Sequence, residues 1–184
     1  MTEYGKNAPL SYNKYLKVPE LIQLQETLSE PTSHDELLFI IIHQTYELWF
    51  KQILHEIDAT LDWLRQGRAF RVNHSLRTVT AIEKVIVSQI HILESMAQIG
   101  FLEFRDKLNP ASGFQSMQFR ELEFVSGQKD EKILANFAKD DFAYKRLSER
   151  FAEVSLGDAF WALLGRQGFA VRHMTSGSAR SCRY

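Results

Sequence analysis

The sequence contains a single cysteine, Cys182, so no disulfide can form within the chain. A chain without disulfides fits a reducing compartment, and we expect a cytoplasmic location. The longest apolar run, Leu37 to Ile42, is far shorter than the roughly 20 residues that span a bilayer. Residues 1–9 lack the apolar core of a signal peptide. We therefore expect no membrane segment and no membrane partner.

An excess of basic charge is also missing. The sequence has 22 Lys and Arg against 23 Asp and Glu, which gives a formal net charge of −1. Such a balance provides no positive field for phosphate backbones or anionic lipids. We therefore expect no nucleic-acid partner.

Motifs for metal and nucleotide sites are absent as well. The chain has no GxGxxG stretch, no Walker loop and no nucleophile elbow. His55 and Glu56 begin like HExxH, but Ala59 occupies the second ligand position. The Glu-x-x-His pair of di-iron bundles does not occur. We therefore predict no metal site built from protein ligands alone.

Helical periodicity runs through most of the chain. One long helix is predicted from Ser33 to Gln66, and a second from about residue 75 to residue 99, ending at Gly100. Shorter helices are predicted at about 116–125, 130–137, 141–154 and 157–168, with no convincing strand. We expect an all-α helical bundle built on two long antiparallel helices, with an N-terminal arm and shorter C-terminal helices. Residues 1–171 are predicted to form a single domain, and residues 172–184 an irregular tail outside the fold.

Two local predictions concern the N-terminal region. Ser33 and Glu36 have the spacing of a capping box at the start of the first long helix. A short helix beginning at Pro19 is predicted to bury an apolar stripe. The stripe consists of Leu21, Ile22, Leu24 and Leu28.

The first long helix carries the most informative residues for function. Phe39 and His43 are four residues apart and share a face, and Ile40 to Ile42 are expected to enclose that turn. Arg105 lies in an aromatic segment that precedes a Ser-Gly loop. An imidazole, a phenyl ring and a guanidinium could together bind an aromatic amino acid. Taken alone, His43 is more typical of a core histidine, and spacing favours a surface ion pair of Arg105 with Glu103 or Asp106.

Three separated motifs, in order, closely resemble the tryptophan 2,3-dioxygenase family. The resemblance covers roughly residues 10 to 171. Its motifs are Tyr12-Asn13-Lys14-Tyr15-Leu16, the stretch from Phe39 through His43-Gln44-x-Tyr46-Glu47-Leu48-Trp49-Phe50 to Gln52, and Phe104-Arg105 with Ser112-Gly113-Phe114-Gln115-Ser116. It implies an all-helical homotetramer that uses haem b iron and dioxygen to open the indole ring of L-tryptophan, giving N-formylkynurenine. This reaction begins tryptophan degradation by the kynurenine pathway.

The resemblance also implies roles for individual residues. His43 would be the catalytic residue that hydrogen-bonds the indole N–H, and Arg105 would hold the substrate carboxylate. The other implied substrate-binding residues are Phe39, Ile40, Ile41, Ile42, Phe101, Ser112 and Gly113. Tyr12, Tyr15 and Leu16 would enter the substrate site of a neighbouring protomer. From the residues alone, a clasp on the protein's own core explains these three equally well.

The sequence departs from the family at two places. Phe101 stands where the family commonly has tyrosine, so a hydroxyl contact would be lost. The region of the proximal haem histidine is not recognisable, and His173 is not expected to replace it. We therefore expect a C-terminally truncated member that holds haem weakly and turns over little. The alternatives are a non-catalytic tryptophan- or indole-binding protein and a helical protein that only assembles with relatives.

Overall fold

The computed structural model describes residues 10–169 and contains nine α-helices there, with no strand. This confirms the predicted all-α class. The predicted tail and His173 lie outside the described residues. The helices are α1 (Tyr12–Leu16), α2 (Val18–Leu21), α3 (His34–Arg65), α4 (Ala69–Glu94), α5 (Gln98–Arg105), α6 (Met117–Val125), α7 (Glu131–Asn136), α8 (Asp141–Ala152) and α9 (Leu156–Arg166).

Within its described residues the chain divides into two compact units. Unit 1 contains residues 10–46 and 88–112, and unit 2 contains residues 47–87 and 113–169. Both long helices therefore contribute residues to both units. The single domain expected over residues 1–171 stays a prediction.

In unit 2 the two long helices form an antiparallel pair. Gly67 sits in the turn between them with φ +71°, a left-handed conformation that glycine adopts at little cost. Ser75 is fully buried and donates to the Glu56 carbonyl at 3.0 Å. The core between and beside the helices contains Ile53, Leu54, Ile57, Leu61, Leu64, Val79, Ile82, Val125, Ala159 and Leu163.

A buried carboxylate joins α6 to α8 in the same unit. Glu121 is 1% exposed and accepts from Arg146 Nε at 2.9 Å, and Arg150 lies 3.6 Å from the same oxygen. Burial lowers the pKa of Arg150, but Asp58 and the carboxylates of Glu153 and Glu121 raise it, with a net increase. The buried carboxylate is thus ion-paired through Oε1, while its Oε2 has no hydrogen-bond partner among the described residues.

In unit 1, hydrogen bonds hold residues 24–29 along the start of α3. The Glu36 carboxylate accepts from the Leu28 amide at 2.7 Å, from the Ser29 amide at 3.0 Å and from the Ser29 hydroxyl. About two helical turns further along, Gln44 donates to the Leu24 carbonyl at 2.9 Å. The predicted capping box is therefore wrong, because the Glu36 carboxylate accepts hydrogen bonds from Leu28 and Ser29 and not from Ser33.

The α4, α5 and N-terminal boundaries differ from the sequence predictions. α4 begins at Ala69 and ends at Glu94, and Gly100 lies inside α5 rather than after a helix end. The predicted stripe of Leu21, Ile22, Leu24 and Leu28 is 41% to 68% exposed, so it is not buried. Periodicity identified residues that can share a face, but nothing in the described chain covers them. The four C-terminal helices lie within two residues of their predicted bounds.

The Glu36 carboxylate yields a stability prediction. Burial raises its pKa, but the hydrogen bonds from Leu28 and Ser29 lower it more, so the net value is below 4.5. We expect Glu36→Gln to lower the free energy of unfolding by about 2 kcal/mol at neutral pH, because an amide cannot accept all three bonds. Chemical denaturation measures this loss, and Glu26→Gln, an exposed change nearby, is the control.

The same variant gives a pH test with a defined sign. A depressed carboxyl pKa in the folded state contributes stability above the unfolded pKa and loses it as the pH falls through the folded value. The difference between wild type and Glu36→Gln should therefore shrink on acidification below pH 4.5. A difference that grows on acidification would contradict this account.

Candidate functional site

Phe39 and His43 form a stacked pair on one face of α3, as their spacing predicts. Their ring centroids are 4.1 Å apart with an interplanar angle of 36°. His43 Nδ1 lies 2.7 Å from the Phe39 carbonyl oxygen. A carbonyl can only accept, so Nδ1 must carry the hydrogen of this bond. In the neutral ring, Nε2 is then a hydrogen-bond acceptor.

An aromatic cluster fixes α5 next to this pair. Phe104 is fully buried, with its centroid 5.5 Å from Phe39 and 5.4 Å from Phe101. Phe101 in turn lies 5.9 Å from Phe39. Edge and tilted ring contacts at these distances are favourable for aromatic pairs. Docking of Phe104 therefore brings Phe101 and the end of α5 beside Phe39.

Polar contacts reinforce the docking of α5. The Ser33 hydroxyl lies 2.7 Å from Glu103 Oε2 and 3.4 Å from the Gly100 carbonyl oxygen. A Cβ placed on Gly100 would lie 2.1 Å from Asp35 Oδ2, so the Asp35 side chain packs directly against this glycine. The start of α3 and the backbone of α5 are in close contact as a result.

A cleft of about 590 Å³ opens where α5 ends. It brings together Phe39, Phe101 and Arg105, which were predicted as site residues. Arg105 is exposed and has no ion-pair partner among residues 10–169, so the predicted surface pair with Glu103 or Asp106 is not found. The other residues of the wall, which sequence reasoning did not assign to the site, are Asp106, Leu108, Asn109, Pro110 and Ala111.

The three isoleucines of α3 differ in exposure. Ile42 is 3% exposed and belongs to the core, Ile41 is 44% exposed, and Ile40 is intermediate. The expectation that this turn is enclosed on most sides is therefore wrong for Ile41. Within the described part of the chain, none of the three lines the cleft. Their predicted role in substrate binding stays a prediction.

Ser112 and Gly113 also stay predictions as site residues. Ser112 is exposed and directly follows Ala111, the last residue of the cleft wall. Gly113 begins the short 3₁₀ helix Gly113–Gln115, which belongs to unit 2. Further along unit 2, Gln118 donates to the Glu47 carbonyl and carboxylate, each at 2.8 Å, and ties α6 to α3.

The N-terminal residues predicted to serve a neighbouring protomer lie in α1. Tyr12 is 75% exposed, Tyr15 70% and Leu16 44%. The alternative of a clasp on the protein's own core is therefore wrong for these three side chains. Their contact with a second protomer remains a prediction.

Next to His43, burial raises the pKa of the Tyr46 hydroxyl above its usual value. The Tyr46 and His43 rings meet edge to face, with centroids 6.2 Å apart. A tyrosine phenol is neutral at physiological pH, and burial favours that neutral form further. The imidazole thus lies between two uncharged rings.

Haem b, which the family resemblance implies, would need a protein side chain to hold its iron. Residues 10–169 contain no cluster of three His, Cys, Asp or Glu suited to a metal ion. The resemblance assigns His43 to the substrate side; it stacks on Phe39 but is not itself among the lining residues of the cleft, and none of the described histidines is. The described residues therefore offer an aromatic wall but no assigned iron ligand, and they do not by themselves fit the group.

Over residues 10–169 no single helix is both long and apolar enough to cross a bilayer. The pair Ala69–Glu94 and Gln98–Leu108, bent by 91°, reaches that length and composition only when taken together.

Fold and cleft together define an all-α protein with an aromatic cleft of small-molecule size. The family model of tryptophan 2,3-dioxygenase matches residues 2–160. The chain is 51% identical to tryptophan 2,3-dioxygenase of Nocardioides sp. over 171 residues, covering 90% of this chain and 64% of that protein. It is 49% identical to tryptophan 2,3-dioxygenase of Herpetosiphon aurantiacus, over 88% of this chain and 62% of that protein. It is 42% identical to tryptophan 2,3-dioxygenase of Anaeromyxobacter sp., over 90% of this chain and 62% of that protein.

The chain belongs to the tryptophan 2,3-dioxygenase family. It spans slightly less than two thirds of the length of these curated relatives. The expectation of a truncated C-terminus stays a prediction.

The tautomer of His43 can be tested directly. We expect Nδ1 to carry the proton and Nε2 to be unprotonated, because the Phe39 carbonyl accepts from Nδ1. Long-range ¹H–¹⁵N NMR at alkaline pH, where imidazoles are neutral, distinguishes the two nitrogens. His43→Gln assigns the signal, and the exposed His74 is the internal reference. A proton on Nε2 would contradict the hydrogen bond to Phe39.

Proposed function

We propose that this chain binds L-tryptophan in the cleft of unit 1 for haem-dependent opening of the indole ring to N-formylkynurenine. The observation that carries the proposal is the meeting of Phe39, Phe101 and Arg105 in one cleft, with His43 stacked on Phe39. Family membership supports the same reaction. Dioxygen and haem b enter the proposal through the family, as co-substrate and cofactor.

The aromatic wall suits the bicyclic ring of tryptophan. Phe39 and Phe101 present neighbouring phenyl rings to the cleft, and an indole gains both area burial and ring contact there. His43 Nε2, an acceptor in the tautomer set by Phe39, can take the indole N–H. In this proposal His43 orients the ring through a hydrogen bond and does not need to remove its proton.

Arg105 suits the substrate carboxylate. A guanidinium forms two parallel hydrogen bonds with a carboxylate, which fixes orientation as well as charge. Arg105 is not engaged by a carboxylate of residues 10–169, and the nearby Glu103 faces Ser33 instead. The arginine is thus available to an incoming anion. This availability supports its proposed role.

Assembly with other copies is part of the proposal. The family is a homotetramer by the resemblance, with an N-terminal segment that reaches a neighbouring site. The high exposure of Tyr12, Tyr15 and Leu16 supports this use, because apolar side chains without a cover are available to a second protomer.

Titration calorimetry with L-tryptophan tests the cleft. We expect Arg105→Gln to weaken binding about tenfold, because a charge-assisted contact to the carboxylate is lost from a solvent-exposed site. Lys107→Gln is the matched control, since it removes a positive charge from an exposed residue that does not line the cleft. Equal effects of the two changes would contradict the role of Arg105.

Haem use and turnover are tested on the same protein. Haemin titration followed by absorbance reports cofactor affinity, and an assay for N-formylkynurenine reports the reaction. We expect weak haem binding and a low yield of product that rises with haemin loading, because no iron ligand is assigned among residues 10–169. Tight haemin binding with robust turnover would contradict that expectation and support the dioxygenase.

The alternatives give different results in these experiments. Tryptophan binding with no product under any haemin loading would favour a non-catalytic binder. Recovery of the chain only in mixed oligomers with a full-length relative, with no tryptophan binding, would favour an assembly role. Either result would contradict the proposed reaction.

A further inference from the structure

Ser33, the residue before α3, makes hydrogen bonds in two directions. Its backbone N–H donates to the Ser29 hydroxyl at 2.8 Å, and its own hydroxyl donates to Glu103 Oε2 at 2.7 Å. Ser29 precedes α3, whereas Glu103 lies on α5. Ser33 is only 4% exposed, so its polar atoms have little access to water and depend on these partners.

The hydrogen bonds continue from Ser29 to the buried carboxylate of α3. The Ser29 hydroxyl accepts from the Ser33 N–H and donates to Glu36. A hydroxyl group can do both at once, because it has one hydrogen and two lone pairs. Ser29 is 5% exposed and Glu36 1%. An unbroken series of hydrogen bonds therefore joins Glu36, Ser29, Ser33 and Glu103.

The far end of this series lies on the helix that carries two residues of the cleft. Phe101 and Arg105 line the cleft, and both belong to α5. The buried ring of Phe104 attaches α5 to the protein, but apolar contact is non-directional and leaves the rotation of a short helix loosely defined. The bond between Ser33 and Glu103 is directional. It can therefore fix the rotation that apolar packing leaves open.

The position of Glu103 on α5 suits this purpose. Side chains two positions apart on a helix do not face each other. Glu103 can therefore bind Ser33 on one side of α5 while Arg105 lines the cleft on the other. In the described chain neither Ser29 nor Ser33 lines the cleft, and the family resemblance gives no role to either of them or to Glu103.

We propose that Ser33 is a positioning residue for the tryptophan site, because its bonds to Ser29 and Glu103 couple residues 24–29 to α5 and set the direction of Arg105. This inference rests on the proposed function and adds a residue that acts on the substrate only through Arg105. Binding groups are held precisely when supporting hydrogen bonds lock their positions. The affinity for the substrate carboxylate then depends on a segment that does not line the cleft.

Titration calorimetry of the full chain with L-tryptophan tests the coupling. We expect Ser33→Ala to weaken binding about threefold to fivefold, because Arg105 is still present but no longer held in one direction. Arg105→Gln should then cost only about twofold to threefold in the Ser33→Ala background, against about tenfold in the wild-type background. A purely structural role of Ser33 would leave the effect of Arg105→Gln the same in both backgrounds.

Ser75→Ala is the matched control. Ser75 is also a fully buried serine, and its hydroxyl donates to the Glu56 carbonyl of the facing helix in unit 2. Chemical denaturation should show that both serine variants lose stability. Only Ser33→Ala should reduce the effect of Arg105→Gln on tryptophan binding.

Variants of the two partners make the result specific. Glu103→Gln retains an oxygen that accepts from Ser33 and should keep the affinity within about twofold of wild type, whereas Glu103→Ala should weaken binding as much as Ser33→Ala does. The double variant Ser33→Ala/Glu103→Ala should be no weaker than either single variant, because both remove the same bond. Ser29→Ala should weaken binding in the same direction.

Hydrogen exchange gives a readout that needs no ligand. The backbone amides of α5 should exchange faster in Ser29→Ala and in Ser33→Ala than in wild type, because local opening becomes easier when a docking contact is lost. In Ser75→Ala their exchange should stay at the wild-type rate. Equal exchange in Ser33→Ala and wild type would overturn the inference.

The contrary outcomes are distinguishable. An undiminished effect of Arg105→Gln in the Ser33→Ala background would overturn this inference and leave the proposed function intact. Equal losses of affinity in Glu103→Gln and Glu103→Ala would also overturn it, by showing that the bond to Ser33 is not what matters. Failure of the wild-type chain to bind tryptophan would contradict the proposed function itself, and this inference with it.

Discussion

The packing of α5 against the first turns of α3 determines the geometry of the whole candidate site. The Phe104 side chain is fully buried, and burial of a phenyl ring stabilises the folded state by about 1.5–3 kcal/mol. The Ser33 hydroxyl contacts Glu103 and the Gly100 carbonyl, and the Asp35 side chain packs against Gly100. Once α5 is fixed in this way, Phe101 must lie beside Phe39, and the charged residues that end the helix must face the same cleft.

The N-terminal segment is held by a different kind of force. Its apolar side chains are exposed, and hydrogen bonds to Glu36 and Gln44 attach residues 24–29 to α3. Hydrogen bonds fix the direction of a segment more strictly than apolar packing does, because they require defined donors and acceptors. The segment that precedes it can therefore present Tyr12 and Tyr15 outward without losing its attachment to the helix.

The presence and approximate bounds of most helices could be predicted from the sequence, because apolar periodicity and helix caps are local signals. The spacing of Phe39 and His43 predicted their shared face in the same way. Long-range contacts could not be predicted. The Ser33 hydroxyl faces Glu103, seventy residues further along the chain, and no local pattern distinguishes that partner from Glu36. Asp106 was considered only as an ion-pair partner of Arg105, since sequence spacing does not show that both line one cleft.

The central claim is that Phe39, His43 and Arg105 serve one bound tryptophan. A crystal structure of this chain grown with L-tryptophan tests it most directly. The account predicts the indole ring against Phe39, its N–H directed at His43 Nε2, and its carboxylate on the Arg105 guanidinium. Tryptophan bound away from this cleft, for example in the apolar cleft of unit 2 lined by Phe50, Ile57 and Phe119, would contradict the account.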